Sequence, residues 1–141
     1  MSFREKSAWI TLITLVLLLA FYVTHLPPPW WLRAEAGGFL FYVLMLGVIA
    51  FVVIELIAHV IVALRAPREA RAPRDEREQL IALKARSIAG RVYAILSLGS
   101  VFLVIHLGAN DGGILYCLFL SFVVSQIVNY AARVIYYRRG V

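Results

Sequence analysis

Charge is scarce in this chain. Asp, Glu, Lys and Arg make up 16% of it and hydrophobic residues 62%, against roughly 25% and 45–50% in a soluble domain. Cysteine is almost missing. Cys117 stands alone, which excludes an intrachain disulfide and any zinc-finger spacing. Absent too are the glycine pattern of a nucleotide-binding loop and the HExxH of a metalloprotease. The 141 residues allow one membrane domain, 1–141, with little room for a soluble unit beside it.

What the chain does have is four long apolar runs, at about 7–26, 38–64, 88–108 and 113–132. Each reaches or exceeds the ~20 residues a helix needs to cross a bilayer. The first follows a short basic segment, as a signal peptide does. No small-residue cleavage pattern follows it; His25, Pro27, Pro28 and Pro29 stand there instead, so a retained span is expected. Trp30 and Trp31 suit an interfacial aromatic belt. "GANDGG" between the last two runs reads as a tight polar turn. The expected architecture is all-α: four transmembrane helices, with a short cytoplasmic amphipathic helix leading into the third.

The net charge of +6 is unevenly placed. Of 14 basic residues, all but Arg33 precede span one, lie between or just inside spans two and three, or follow span four. The positive-inside rule then puts both termini and the 65–87 loop in the cytoplasm. In the loop, Pro67 and Pro73 break the chain, and Asp75 begins a helix with Glu78 in capping-box position. Arg74 and Glu78 are spaced to pair, and Leu80, Ile81, Leu83 and Ile88 give the helix an apolar side; with no breaker until Gly90, it can continue straight into span three. Asp75, Glu76, Arg77, Glu78 and Lys84 form the surface expected to meet anionic headgroups or a partner. Nucleic acid is not an expected partner, because the arginines are interleaved with acids and no recognition fold is visible.

"DEREQLIALKARSIAGRVYAIL", at 75–96, is similar to a segment of small bacterial membrane proteins of the family called DUF2178. The resemblance rests on Asp75, Glu76, Arg77 and Glu78, followed by Ile81, Lys84, Ala85 and Ile88. It implies a multi-span inner-membrane protein and no known reaction, so it carries no catalytic residues over.

Polar residues inside the spans are the functional candidates, because each is costly in lipid without a partner or a role. "FVVIELIAHVIVAL", at 51–64, places Glu55 and His59 one turn apart on one face. Ser97, Ser100 and span-four groups are the expected partners. Ser121, Ser125 and Asn129 continue a polar face along span four, expected in the interior or at an oligomer contact. Cys117 reads as a small buried hydrophobe. On the outer side His25, His106, Asp111 and Glu35 are the candidate metal ligands. Two histidines and a carboxylate suit zinc or iron, and two histidines alone can hold haem. No cofactor is specified by these spacings.

Three functional classes therefore remain open at this point. One is an accessory, sensory or regulatory membrane protein that works with a second copy or another membrane protein. The others are a small proton-linked transporter, and a metal- or haem-binding protein or enzyme with an outer-side site.

Overall fold

A computed structural model of the chain describes residues 3–25, 37–65, 67, 75–107 and 111–139. Four helices account for nearly all of them: α1 (Phe3–His25), α2 (Gly37–Arg65), α3 (Glu76–Leu107) and α4 (Asp111–Arg139). All four are long and apolar enough to cross a membrane. The prolines and tryptophans at 27–31, Glu35 and, in the 65–87 loop, residues 66 and 68–74 with Arg74 among them lie outside the described residues.

The helices are longer than the expected spans. Among the described residues no separate amphipathic helix precedes the third span. One helix of 32 residues runs from Glu76 to Leu107, about 48 Å at 1.5 Å per residue. That exceeds a ~30 Å hydrocarbon core, so its first turns overhang. The chain between Glu76 and Ile88 contains neither proline nor glycine, so nothing stops the helix before it enters the span. Its apolar side also divides differently. Ile81, Ala85 and Ala89 are buried at helical spacing, whereas Leu80 and Leu83 stay exposed. Helix α4 already begins at Asp111, within "GANDGG", whose residues 108–110 lie outside the described residues.

Helix α4 packs against α3 on one side and α1 on the other, and α1 packs in turn against α2. The spatial order is thus α2–α1–α4–α3, with only a slight touch between α2 and α4. Polar contacts gather at one end. Arg4 of α1 pairs with Glu78 of α3 at 2.9 Å, and Glu5 of α1 with Arg138 of α4 at 3.6 Å. Here α1 and α3 begin and α2 and α4 finish; it is called the basic end below. Glu78 bonds Arg4 and accepts from the Asp75 amide at 3.4 Å; its expected partner Arg74 lies outside the described residues. Asp75 caps the amide of Glu76 at 2.7 Å, satisfying one of the free donors of the first turn.

The apolar core lies toward the other end, where Leu15, Leu18 and Tyr22 of α1 meet Leu40 and Leu44 of α2 and Tyr116 and Val123 of α4. Tyr22 is fully buried. Its hydroxyl donates to the Leu44 carbonyl at 2.8 Å, and Tyr116 donates to the Tyr22 carbonyl at 3.3 Å. The tyrosine fits because position 47 is glycine: a Cβ there would collide with the Tyr22 ring. Small residues allow this kind of close approach between helices in lipid.

Gly47→Ala is therefore expected to destabilise the bundle by about 1–3 kcal/mol through overpacking. Gly90→Ala, where an added Cβ meets nothing within 4 Å, should be neutral or mildly stabilising, since alanine favours helix by up to ~1 kcal/mol. Thermal unfolding in detergent micelles checks both. Equal melting of Gly47→Ala and the parent protein would contradict the close contact.

Candidate functional site

Glu55 and His59 face α1, not span three. Thr11 donates its hydroxyl to Glu55 Oε2 at 2.9 Å, and Ser7 Oγ lies 2.7 Å from His59 Nε2. Within α2, His59 Nδ1 is 3.1 Å from Glu55 Oε2 and 2.9 Å from the Glu55 carbonyl oxygen. Both neighbours of Nδ1 are acceptors, so Nδ1 carries the proton. In the neutral ring Nε2 is then the acceptor of the Ser7 hydroxyl. The four side chains form one line: hydroxyl, imidazole, carboxylate, hydroxyl. Each link is short enough for a proton to be handed along it.

The reason for this pairing is helix geometry. Ser7 and Thr11 are one turn apart on α1, as Glu55 and His59 are on α2. The two helices run antiparallel, so the order of one pair mirrors that of the other. Thr11 is buried, and the Glu55 side chain is 14% exposed against 38% for His59. The line thus runs from a half-open end at His59 to a closed end at Thr11. Oε1 of Glu55 is buried and has no hydrogen-bond partner among the described residues. Beyond Thr11 the space between α1 and α2 continues as a cavity of about 320 Å³, walled by residues such as Leu18, Phe21, Leu46, Phe51 and Ile54. Its polar residue Thr14 spends its hydroxyl on the Ile10 carbonyl at 2.9 Å.

Sequence reasoning missed Ser7 and Thr11. Their signal was present: Ser7, Thr11 and Thr14 recur at spacings of four and three on the first span. The expected partners lie elsewhere. Ser97 donates to the Ala94 carbonyl on its own helix, and Ser100 bonds Ser121 across α3 and α4 at 3.0 Å. The face of Ser121, Ser125 and Asn129 is interior, with exposures of 5%, 2% and 6%. Ser121 and Ser125 donate to backbone carbonyls, and Asn129 bonds Gln126 and accepts from Arg133. Cys117 is half-buried.

The outer candidates are not drawn together. His25 and His106 are exposed, and each ring lies against a phenylalanine of its own helix, Phe21 and Phe102. Glu35 lies outside the described residues, and Asp111 opens α4. Among the described residues no three His, Cys, Asp or Glu side chains are grouped as a metal ion needs. Of the loop surface, Asp75, Glu76, Arg77 and Lys84 are exposed, and Glu78 is partly buried in its bond to Arg4.

Four membrane-length helices agree with a match along the sequence: residues 4–141 fit the family described as "Predicted membrane protein (DUF2178)". The chain belongs to the DUF2178 family. The DUF2178 match extends far past the 75–96 segment and takes in both Ser7–Thr11 and Glu55–His59. No curated protein and no solved structure matches the chain.

Glu55→Leu leaves the Thr11 hydroxyl and the His59 Nδ1 proton without their shared acceptor. It is expected to cost about 1–3 kcal/mol, the penalty for stranding buried donors. Glu55→Gln keeps a carbonyl oxygen for Thr11 and should lose less. Chemical unfolding in micelles ranks the two. Glu55→Leu as stable as the parent protein would contradict the pairing.

Proposed function

We propose that this protein is an accessory, sensory or regulatory component of the bacterial inner membrane, with both termini in the cytoplasm. It acts through helix–helix contacts, with a second copy or with another membrane protein. The carrying observation is the Ser7–His59–Glu55–Thr11 line: a titratable joint between α1 and α2, half-open at the basic end. In this reading the joint is where a change in charge becomes a change in helix packing. Helix α2 has the freedom for that. Among the described residues it packs mainly on α1, with a slight touch on α4, and Leu46, Val53, Leu56 and Val60 along it are exposed. Headgroups of anionic lipids meet the basic end.

A proton-linked transporter needs a polar path from one side to the other. Beyond Thr11 the α1–α2 interface is apolar, and its Thr14 hydroxyl is already bonded to its own helix. That favours a local proton response over transport. An outer metal site or enzyme has less support, since His25 and His106 each stack on their own helix.

The direction of the response follows from the donors. Neutral His59 accepts from Ser7 and donates to Glu55. Protonated, it donates from both nitrogens; the Ser7 oxygen can accept, and the pair with Glu55 gains charge. Charged groups on the other elements meeting at this end include Arg4, Glu5 and Lys6 of α1, Glu76, Arg77, Glu78, Lys84 and Arg86 of α3, and Arg133, Arg138 and Arg139 of α4. Protonation should therefore tighten the joint. Spin labels at Lys6 and Leu64, measured by pulsed electron paramagnetic resonance in bilayers, read it. The distance distribution should narrow on acidification and stay broad in His59→Leu. Identical distributions in parent and variant at every pH would contradict the sensory reading.

A further inference from the structure

A second cavity, of about 570 Å³, lies between α3 and α4, away from the His59 joint. Arg86 and Tyr93 of α3 and Gln126, Asn129, Tyr130 and Arg133 of α4 line it. No acidic residue is among its lining residues, so two guanidinium groups share the space without a carboxylate there. Arg86 has no hydrogen-bond or ion-pair partner among the described residues. Arg133 is held in place. Its Nε donates to Asn129 Oδ1 at 3.3 Å, and its guanidinium carbon lies 4.9 Å from the Tyr130 ring centre. That fixes the direction of the group while its two terminal nitrogens keep their donors. Asn129, 6% exposed, is the buried floor that orients it.

Two arginines beside one concavity repel each other unless an anion sits between them, and the guanidinium fork fits phosphate oxygens in pairs. Depth identifies the source. About 20 residues of α3 beyond Ile88 fill a hydrocarbon core, which leaves Arg86 at its edge. Arg133 lies six residues before α4 finishes at Arg139, toward the same basic end. Both guanidinium groups then stand at headgroup level, while Tyr93 and Phe122 carry the cavity toward the apolar side. We propose that this cavity is a phosphate-binding site and that its occupant is the headgroup of an anionic bilayer phospholipid. The inference rests on the membrane placement and not on the response of His59, so either can fail alone.

Native mass spectrometry of the detergent-purified protein, titrated with phosphatidylglycerol or phosphatidylcholine, tests it. One phosphatidylglycerol per chain should bind in preference to phosphatidylcholine. Arg86→Gln should weaken it by roughly tenfold, the equivalent of one charge-assisted hydrogen bond. Arg86 has no partner to lose, so this variant keeps the fold, and an unchanged melting temperature verifies that. Arg133→Lys keeps the charge, loses the fork and should weaken binding less than Arg86→Gln combined with Arg133→Gln. Arg91→Gln, at a basic residue of α3 outside the cavity, should change nothing. Equal losses in Arg91→Gln and Arg86→Gln, or no preference for phosphatidylglycerol, would overturn the site. Inorganic phosphate displacing the lipid at low concentration would overturn the lipid as occupant and assign the site to a soluble phosphate compound.

Discussion

Lipid chains are as apolar as leucine, so burying leucine between helices in a bilayer gains little over leaving it in lipid. What holds these four helices is the small set of polar contacts that lipid cannot replace, and α1 takes part in most of them. Its first three turns bond α3 through Arg4, α4 through Glu5, and α2 through Ser7 and Thr11. At its other end Tyr22 bonds α2 and receives a bond from α4. Interhelical hydrogen bonds of this kind contribute roughly 0.6–2 kcal/mol each. Helices α2 and α3 are otherwise held from one side only, which makes the α1 contacts the constraint on the whole arrangement.

The two ends of α1 differ in character. Around Tyr22 the packing is dry and rigid, with a ring seated where a glycine leaves space. At the basic end the contacts are ionic, partly exposed and titratable. Trp9 adds to them: its ring lies 5.3 Å from the Arg138 guanidinium, a cation–π contact that strengthens as water is excluded. A bundle packed around an apolar core at one end and joined by protonatable groups at the other is what the proposed response requires. The cavity between α3 and α4 also faces the basic end, so the proposed lipid site and the proposed proton-responsive joint lie toward the same end of the bundle.

The number of helices was legible because runs of some 20 apolar residues have few other physical meanings. The shared face of Glu55 and His59 was legible from their four-residue spacing, and so was that of Ser121, Ser125 and Asn129. Which helix each face meets was not. Spacing gives a direction around one helix axis, but the order α2–α1–α4–α3 depends on how all four pack. Ser97 and Ser100 therefore looked as suitable for Glu55 as Ser7 and Thr11. The amphipathic segment before span three was legible as helix, and so was its run into the span, because no proline or glycine stands between Glu76 and Gly90. Arg133 looked like a topology signal; its bond to Asn129 and its cavity became visible only with α3 in place.

The central claim is that His59 is locked between Ser7 and Glu55 as the joint between α1 and α2. Solid-state nitrogen NMR of imidazole-labelled protein in bilayers tests it most directly, with His25→Gln and His106→Gln removing the other two rings. The account predicts a neutral His59 with its proton fixed on Nδ1 and Nε2 shifted as an acceptor, the Nε2 shift changing in Ser7→Ala. An Nε2-protonated ring, or the averaged signal of a freely exchanging histidine, would contradict it.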